Sequence, residues 1–314
     1  MDFHHIPVLL NECLEGLKLR EGGTYLDCTL GGGGHASEIL RRIGSGRLIG
    51  IDRDPEAVQS ASARLAALGC PGTFTVLRGN FHEARSLLES AGIRPAFDGI
   101  LADLGVSSHQ LDIRERGFSY HDDAPLDMRM DPEQPMSARD LVNGASEDEL
   151  TRVIGDYGEE KWARQIARVI CDRRRVAPIE RTGQLVSVID AAVPRKFRKA
   201  EGGHPARRTF QALRIAVNDE LEPLGDAVRM LSEMLESGGR LCVITFHSLE
   251  DRIVKNSFRV LADPCICPKS FPVCVCGRTA TVKLITRRPV TASQEELEEN
   301  PRARSASLRI LEKL

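Results

Sequence analysis

The sequence predicts an α/β fold, a doubly wound sheet with an all-helical domain inserted into it. Strand and helix signals alternate through the first hundred residues. They give way to a polar loop and a long run of helical patterns, and the alternation resumes near Asn218. Short apolar strands separated by helices form a parallel sheet covered on both faces. The simplest division is one sheet domain, residues 1–112 and 218–314, split by a helical domain, residues 113–217.

Each element has its own signal. Residues 24–30 are a short apolar run ending in glycines, and 36–43 carry a helical pattern. Residues 46–52 read as a second buried strand, followed by a helix over 55–68 with Pro55 near its first position. Residues 74–78 and 97–103 are the third and fourth strands. From 108 to 133 the chain is polar and loop-like, and from 147 to 217 it is helical. A helix over 219–235 is expected to stop at Gly238-Gly239. A strand over 240–246 then precedes a helix over 248–261, with Ser248 as its cap and Glu250-Asp251 at its positive end. Residues 281–286 and 307–311 are candidate closing strands.

Composition excludes several classes. A net charge of -2 argues against a uniformly basic nucleic-acid binder, so any basic surface must be local. Aromatics at 4% argue against binding single strands through rows of stacked bases. No apolar run approaches the roughly 18 residues of a membrane helix, and the first residues lack a signal-peptide pattern. Nine cysteines in 314 residues are too sparse for a disulfide scaffold, so the expected compartment is the cytoplasm, with reduced thiols.

The chemistry starts at Asp27-Cys-Thr-Leu-Gly-Gly-Gly-Gly-His35, between the first strand and its helix. Glycines let the backbone turn sharply and approach a ligand, and a helix start offers N–H groups to an anion. Asp52, at the end of the second strand, suits both hydroxyls of a ribose. Two nucleoside cofactors fit this loop. Gly31, Gly33 and Ala36 meet a loose dinucleotide pattern, with Asp52 at the expected separation. Against a dinucleotide stand the bulk of His35 and the charge of Asp27, which would repel pyrophosphate but suits a cationic methionine group.

The fourth strand leads into Asp103-Leu-Gly-Val-Ser-Ser-His-Gln-Leu-Asp112, then Glu115-Arg-Gly-Phe-Ser-Tyr120 and Pro125-Leu-Asp-Met-Arg-Met-Asp131. With His4-Ile-Pro-Val-Leu-Leu10, Tyr157-Gly-Glu-Glu160, Arg207-Arg-Thr-Phe-Gln-Ala-Leu-Arg214, Phe246-His-Ser-Leu-Glu-Asp-Arg252 and Asn300-Pro-Arg-Ala-Arg-Ser305, these strings span nearly the whole chain. The chain closely resembles the bacterial 16S ribosomal RNA cytosine-N4 methyltransferase family, MraW (RsmH). The resemblance implies a class I methyltransferase (Rossmann-like) sheet, S-adenosyl-L-methionine as cofactor, and methylation of a cytidine N4 amine in the decoding region of 16S rRNA. It implies 16S rRNA within the small ribosomal subunit as partner, with neither membrane nor DNA. Cofactor contacts carry over to Gly33, Gly34, His35, Asp52, Phe81, Asp103 and Gln110. Asn80 departs from the acid expected after a third strand, so it receives no adenine contact.

Methyl transfer asks mainly for alignment in a dry site. A cytosine amine is a poor nucleophile because its lone pair is delocalised into the ring, and an acceptor beside it helps expose that pair. Asp103, at the carboxyl end of the fourth strand, is the first catalytic candidate. Many amino-methyltransferases follow such a residue with two prolines and an aromatic. Leu104-Gly105-Val106 follow instead, which leaves room for a glycine carbonyl as the orienting group. His247 is the second candidate, for orienting the base or taking a proton. A histidine that only caps the next helix is the competing role. Acid pairs around Asp122, Asp123, Asp127 and Asp131 sit in a polar loop and are expected to be solvated or salt-bridged rather than hydrolytic.

Residues 161–214 hold 14 lysines and arginines against four acids, a local excess of +10. Such a segment can neutralise phosphates, and Phe197 within Arg195-Lys-Phe-Arg-Lys199 could stack on a base. Cys265-Ile-Cys267 and Cys274-Val-Cys276 place four thiols in one loop. Four thiolates can bind zinc, but C-x-C is shorter than the usual C-x-x-C knuckle. The expectation is therefore a reduced loop, or a disulfide formed in air, and no metal.

Overall fold

A computed structural model describes residues 7–195, 204–268, 270–271 and 273–314. The beginning of the His4 string and residues Lys196, Phe197, Arg198, Lys199 and Glu201 of the basic segment lie outside them. Two compact units are present: Met1–Gly105 with Leu221–Leu314, and Val106–Glu220.

The first unit is a seven-stranded sheet. Its elements are α1 (Leu10–Leu17), β1 (Thr24–Asp27), α2 (Gly34–Arg42), β2 (Arg47–Asp52), α3 (Pro55–Ala67), β3 (Thr73–Arg78), α4 (Ala84–Ser90) and β4 (Phe97–Asp103). The sheet order is β3-β2-β1-β4, continued by β5 (Leu235–Thr245), β7 (Ser307–Lys313) and β6 (Val282–Leu284). Strands β1 to β5 run parallel, while β7 lies antiparallel between β5 and β6. This is a Rossmann-like arrangement, with a mixed rather than wholly parallel sheet. Central strands β1, β2 and β4 are nearly continuous buried apolar runs because helices cover both faces. One core layer holds Leu26, Ile51, Ile100 and Phe258, and the other holds Leu17, Tyr25, Ile39 and Leu308.

Before Thr24, where the sequence marks no element, α1 forms, burying Cys13, Leu14 and Leu17 on one face. Two local expectations need correction. The helix expected over 219–235 is α11 (Leu224–Glu233), preceded by Pro223. Asp219 itself has φ 49°, in the left-handed region that ends the preceding helix. Gly238 and Gly239 do not end a helix. Leu235 pairs with Phe97 and Arg240 with Gly99, so residues 236–239 form a bulge inside β5.

The second unit starts with α5 (Ser108–Asp112), a short helix where a loop is expected. Ser107 and Gln110 close it with a reciprocal capping box. The loop beyond is tied down by its own charges. Arg116 donates to the carbonyls of Arg129 and Met130, both at 2.9 Å. Asp127 receives both arms of Arg129, and Asp123 pairs with Arg181. These acids are structural ion-pair partners, not a hydrolytic pair. Helices α6 (Ala138–Gly144), α7 (Glu147–Gly158), α8 (Ala163–Arg174), α9 (Thr182–Ala192) and α10 (Pro205–Asn218) share a core of Ile154, Ile166, Ile170, Ile189, Phe210 and Leu213.

By contacts the units divide at 105/106 and 220/221, beside the 112/113 and 217/218 of the sequence division, and hydrogen bonds tie the flanking residues to the helical unit. Gln110 Nε2 donates to the Met130 carbonyl at 3.3 Å, and Glu220 grips Arg214 through both oxygens at 2.8 and 2.9 Å. Asn218 is buried. It accepts from Met130 N at 2.8 Å and donates to the Met128 and Arg214 carbonyls at 2.7 and 2.9 Å. Replacing it by leucine strands buried backbone groups, each worth about 1–3 kcal/mol. Asn218→Leu should therefore lose stability well beyond a surface substitution in denaturant titration; an unchanged midpoint would show that the amide is dispensable.

Candidate active site

Three acids stand at the carboxyl ends of adjacent parallel strands. Asp27 ends β1, Asp52 ends β2 and Asp103 ends β4. Asp27 lies level with Gly50 of β2 and Leu101 of β4, so Asp52 and Asp103 project two residues beyond it on either side. Ligands of open α/β sheets bind at this edge.

The glycine loop is folded onto this row. Gly31 N donates to Asp52 Oδ2 at 2.7 Å, and Asp54 N to Asp52 Oδ1 at 2.9 Å. Each Asp52 oxygen keeps a second lone pair, the requirement for accepting two ribose hydroxyls. Gly33, the residue before α2, has φ 74°, and a Cβ on it would stand 3.2 Å from Ala61 Cβ. A Cβ on Gly34 would meet Pro7 Cγ at 2.6 Å. Only glycine fits either place without displacement.

His35 does more than line the loop. Its ring is buried, with Nε2–H donating to the Val8 carbonyl at 3.0 Å. That bond turns Nδ1 toward Asp103, 3.8 Å from Oδ2. Asp103 is further fixed by its own N–H, which donates to Thr29 Oγ1 at 2.6 Å. Its buried Oδ1 has no hydrogen-bond partner among the described residues.

The electrostatics are those of crowded acids. Burial pushes the Asp27 carboxyl up to about 7, with Asp52 adding repulsion and bonds from Thr29 opposing it. Burial raises Asp103 well above the usual carboxylate range, and the charges of Asp27 and Glu250 raise it further. Asp52 is also raised, first by desolvation. A site that holds acids this way disfavours a pyrophosphate and favours a cation.

The remaining candidates divide. Phe81 follows Asn80, whose Oδ1 caps the turn by accepting from His82 N at 3.1 Å. It packs in the core layer that contains Ile51, Ala102 and Leu104, near the ends of β2 and β4. His247 caps α12 (Ser248–Ala262): its Nδ1 accepts from Glu250 N at 3.5 Å. The cap is thus His247 rather than Ser248. Its Nε2 is 3.2 Å from Glu250 Oε1 without hydrogen-bond alignment. Gln110 belongs to the helical unit, where Oε1 accepts from Ser107 N and Nε2 reaches Met130. Of the cations in the basic segment, Arg214, Arg181 and Arg175 are ion-paired, and Arg174 donates to the Val142 carbonyl. Lys161, Arg164 and Arg168 remain exposed along α8 and the turn before it.

Two groups escaped the sequence. Glu250 is buried and accepts from Phe246 N at 2.9 Å, acting as a fourth acid near Asp103. Its place beside a helix start suggests only a favourable dipole contact. His82 is held neutral, its pKa lowered to about 4 by burial and then by Arg53, and its buried Nε2 has no partner among the described residues.

Residues 2–314 match the MraW methylase family. The chain belongs to that family. Relatives of this MraW chain agree over its full length. It is 57% identical to a protein of Symbiobacterium thermophilum, covering 100% of this chain and 98% of the relative. It is 55% identical to one of Heliobacterium modesticaldum and 52% to one of Clostridioides difficile, each covering 100% of both chains. All three relatives carry the name ribosomal RNA small subunit methyltransferase H. This MraW methylase is a methyltransferase, which sets aside the dinucleotide alternative for the glycine loop. Among the described residues no helix is long and apolar enough to cross a membrane.

The raised Asp27 has a direct consequence. Folding holds its proton more tightly than the unfolded chain does, so stability from this group is present at low pH and is lost as pH rises toward about 7. Asp27→Asn should therefore melt higher than the parent at pH 8 without ligand, with a much smaller difference at pH 4. An equal shift at both values would rule out ionisation as the cause.

Proposed function

We propose that this methyltransferase carries a methyl group from S-adenosyl-L-methionine to the N4 amine of a cytidine in the decoding region of 16S rRNA, acting in the cytoplasm on the small ribosomal subunit. The observation that carries the substrate is the full-length identity of 52–57% with relatives named for small-subunit ribosomal RNA. The cytidine and its location rest on the resemblance of the strings at 103–131, 207–214 and 246–252. The acid row supports the cofactor, because it fits a cationic ligand.

When bound, S-adenosyl-L-methionine supplies a methyl on a positively charged sulfur, which leaves as a neutral thioether. Gly33, Gly34 and His35 would border its methionine end, and Asp52 would hold the ribose. Phe81 would lie beside the adenine, and the family resemblance alone assigns Gln110 a cofactor contact. Asp27 and Asp103 offer negative charge to the cationic end.

Asp103 is the group proposed to touch the reacting amine. Its unpartnered Oδ1 can accept one amine hydrogen, which favours a pyramidal nitrogen and exposes the lone pair. Thr29 holds the Asp103 backbone, and His35 Nδ1 faces its carboxyl. His247 is the second proposed catalytic residue, through its buried Nε2, since Nδ1 is committed to the helix cap. The alkylated amine is acidic enough to lose its proton without a strong base. The helical unit, residues 113–217 by sequence and Val106–Glu220 by contacts, is proposed to read the RNA backbone. Exposed Lys161, Arg164 and Arg168 are suited to phosphates and would make binding salt-sensitive.

The test is transfer of labelled methyl groups to small subunits from cells lacking the enzyme, followed by nuclease digestion to nucleosides. Label should appear in N4-methylcytidine. Label on ribose, on adenine or on protein would overturn the substrate. Asp103→Ala should reduce transfer at least about 100-fold with RNA binding retained. Asp52→Ala should instead act mainly through cofactor affinity, by about tenfold or more.

A further inference from the structure

Methyl transfer makes no use of Cys265, Cys267, Cys274 and Cys276. They lie between α12 and β6, in a segment whose large apolar side chains face water: Ile266 is 65% exposed, Val273 70% and Val275 72%. Apolar burial therefore does not hold this segment in shape.

The sulfurs nevertheless converge. Cys274 Sγ is 3.5 Å from both Cys265 Sγ and Cys276 Sγ, and 3.9 Å from Cys267 Sγ. Cys276 and Cys265 are 4.0 Å apart, and all four sulfurs lie within 4.8 Å of one another. A disulfide needs about 2.05 Å. Thiolates around a tetrahedral metal at about 2.3 Å define edges of about 3.8 Å. The observed separations bracket that edge.

The C-x-C spacing, which argues against a metal in sequence, does not keep the sulfurs apart. Ile266 and Val275 occupy the middle positions and are exposed, while both flanking sulfurs of each pair turn inward. Two C-x-C segments whose sulfurs converge supply four donors to one point. Val275 N–H donates to Cys267 Sγ at 3.3 Å, and the N–H groups of Ile266 and Arg278 approach Cys276 Sγ. Such bonds stabilise thiolate charge around a metal.

We infer that Cys265, Cys267, Cys274 and Cys276 hold one structural zinc ion. The donor set is closed and all sulfur, which excludes magnesium and calcium and leaves no open position for catalysis. The ion ties residues 265–267 to 274–276 and replaces the apolar core this segment lacks.

The full chain, expressed in zinc-replete medium and purified under reducing conditions without chelator, should carry about one zinc per chain by mass spectrometry of the metals. Cys274→Ser should lower that content at least tenfold, whereas Cys70→Ser, outside the cluster, should leave it unchanged. Since Cys274→Ser could also unfold the segment, the wild-type chain provides a second measurement: cobalt exchanged for zinc should show intense sulfur-to-metal charge transfer and the visible bands of a tetrahedral all-thiolate site. Iron in place of zinc, no metal above background, or cobalt bands of octahedral oxygen coordination would each overturn the assignment.

Discussion

Asp27, Asp52 and Asp103 are placed by the sheet on neighbouring strand ends, and Glu250 adds a fourth carboxylate from α12. Removing acids from water penalises their charged forms, and placing them side by side adds repulsion. The ligand-free protein answers by holding protons: Asp27 reaches about 7 and Asp103 rises well above its ordinary range. A bound cation would remove much of the penalty, so an arrangement costly without ligand becomes favourable with one. That is why the row is read as a binding device rather than as packing.

Much of the surrounding architecture keeps this row in place. Strand order β2-β1-β4 makes the acids neighbours, and the glycine loop brings Gly31 N onto Asp52. His35 links the segment before α1 to Asp103 by bonding the Val8 carbonyl with one ring nitrogen and facing the carboxylate with the other. Thr29 fixes the Asp103 backbone. Each contact restrains a group of the proposed site, where a misplacement of about 1 Å can cost about 100-fold in rate. Among the described residues Asp103 Oδ1 has no hydrogen-bond partner, and the proposed substrate amine would supply one.

The parts of this account legible in sequence are those written in local signals. Apolar runs and punctuating glycines mark β1, β2 and β4, and an acid after a strand marks Asp52. Helix α1 is missed because its buried face is too short to stand out before the sheet is known. The start of α11 is misplaced because left-handed Asp219 and Pro223 together stop one helix and begin another within five residues. Gly238 and Gly239 look like a helix end and instead form a bulge, a distinction that depends on the partner strand. Long-range pairings such as His35 with Val8, or Glu250 near Asp103, have no local signature. The cysteines are hardest: C-x-C spacing carries a metal meaning only once the two segments are seen facing each other.

The central claim is that buried acids bind a cationic cofactor and surrender protons on doing so. Calorimetric titration with S-adenosyl-L-methionine at pH 6.5, repeated in two buffers of different ionisation enthalpy, measures that directly. Proton release should make the observed heats differ between the buffers, and Asp27→Asn should shrink the difference. Equal heats in both buffers, with S-adenosyl-L-methionine fully bound, would contradict the account.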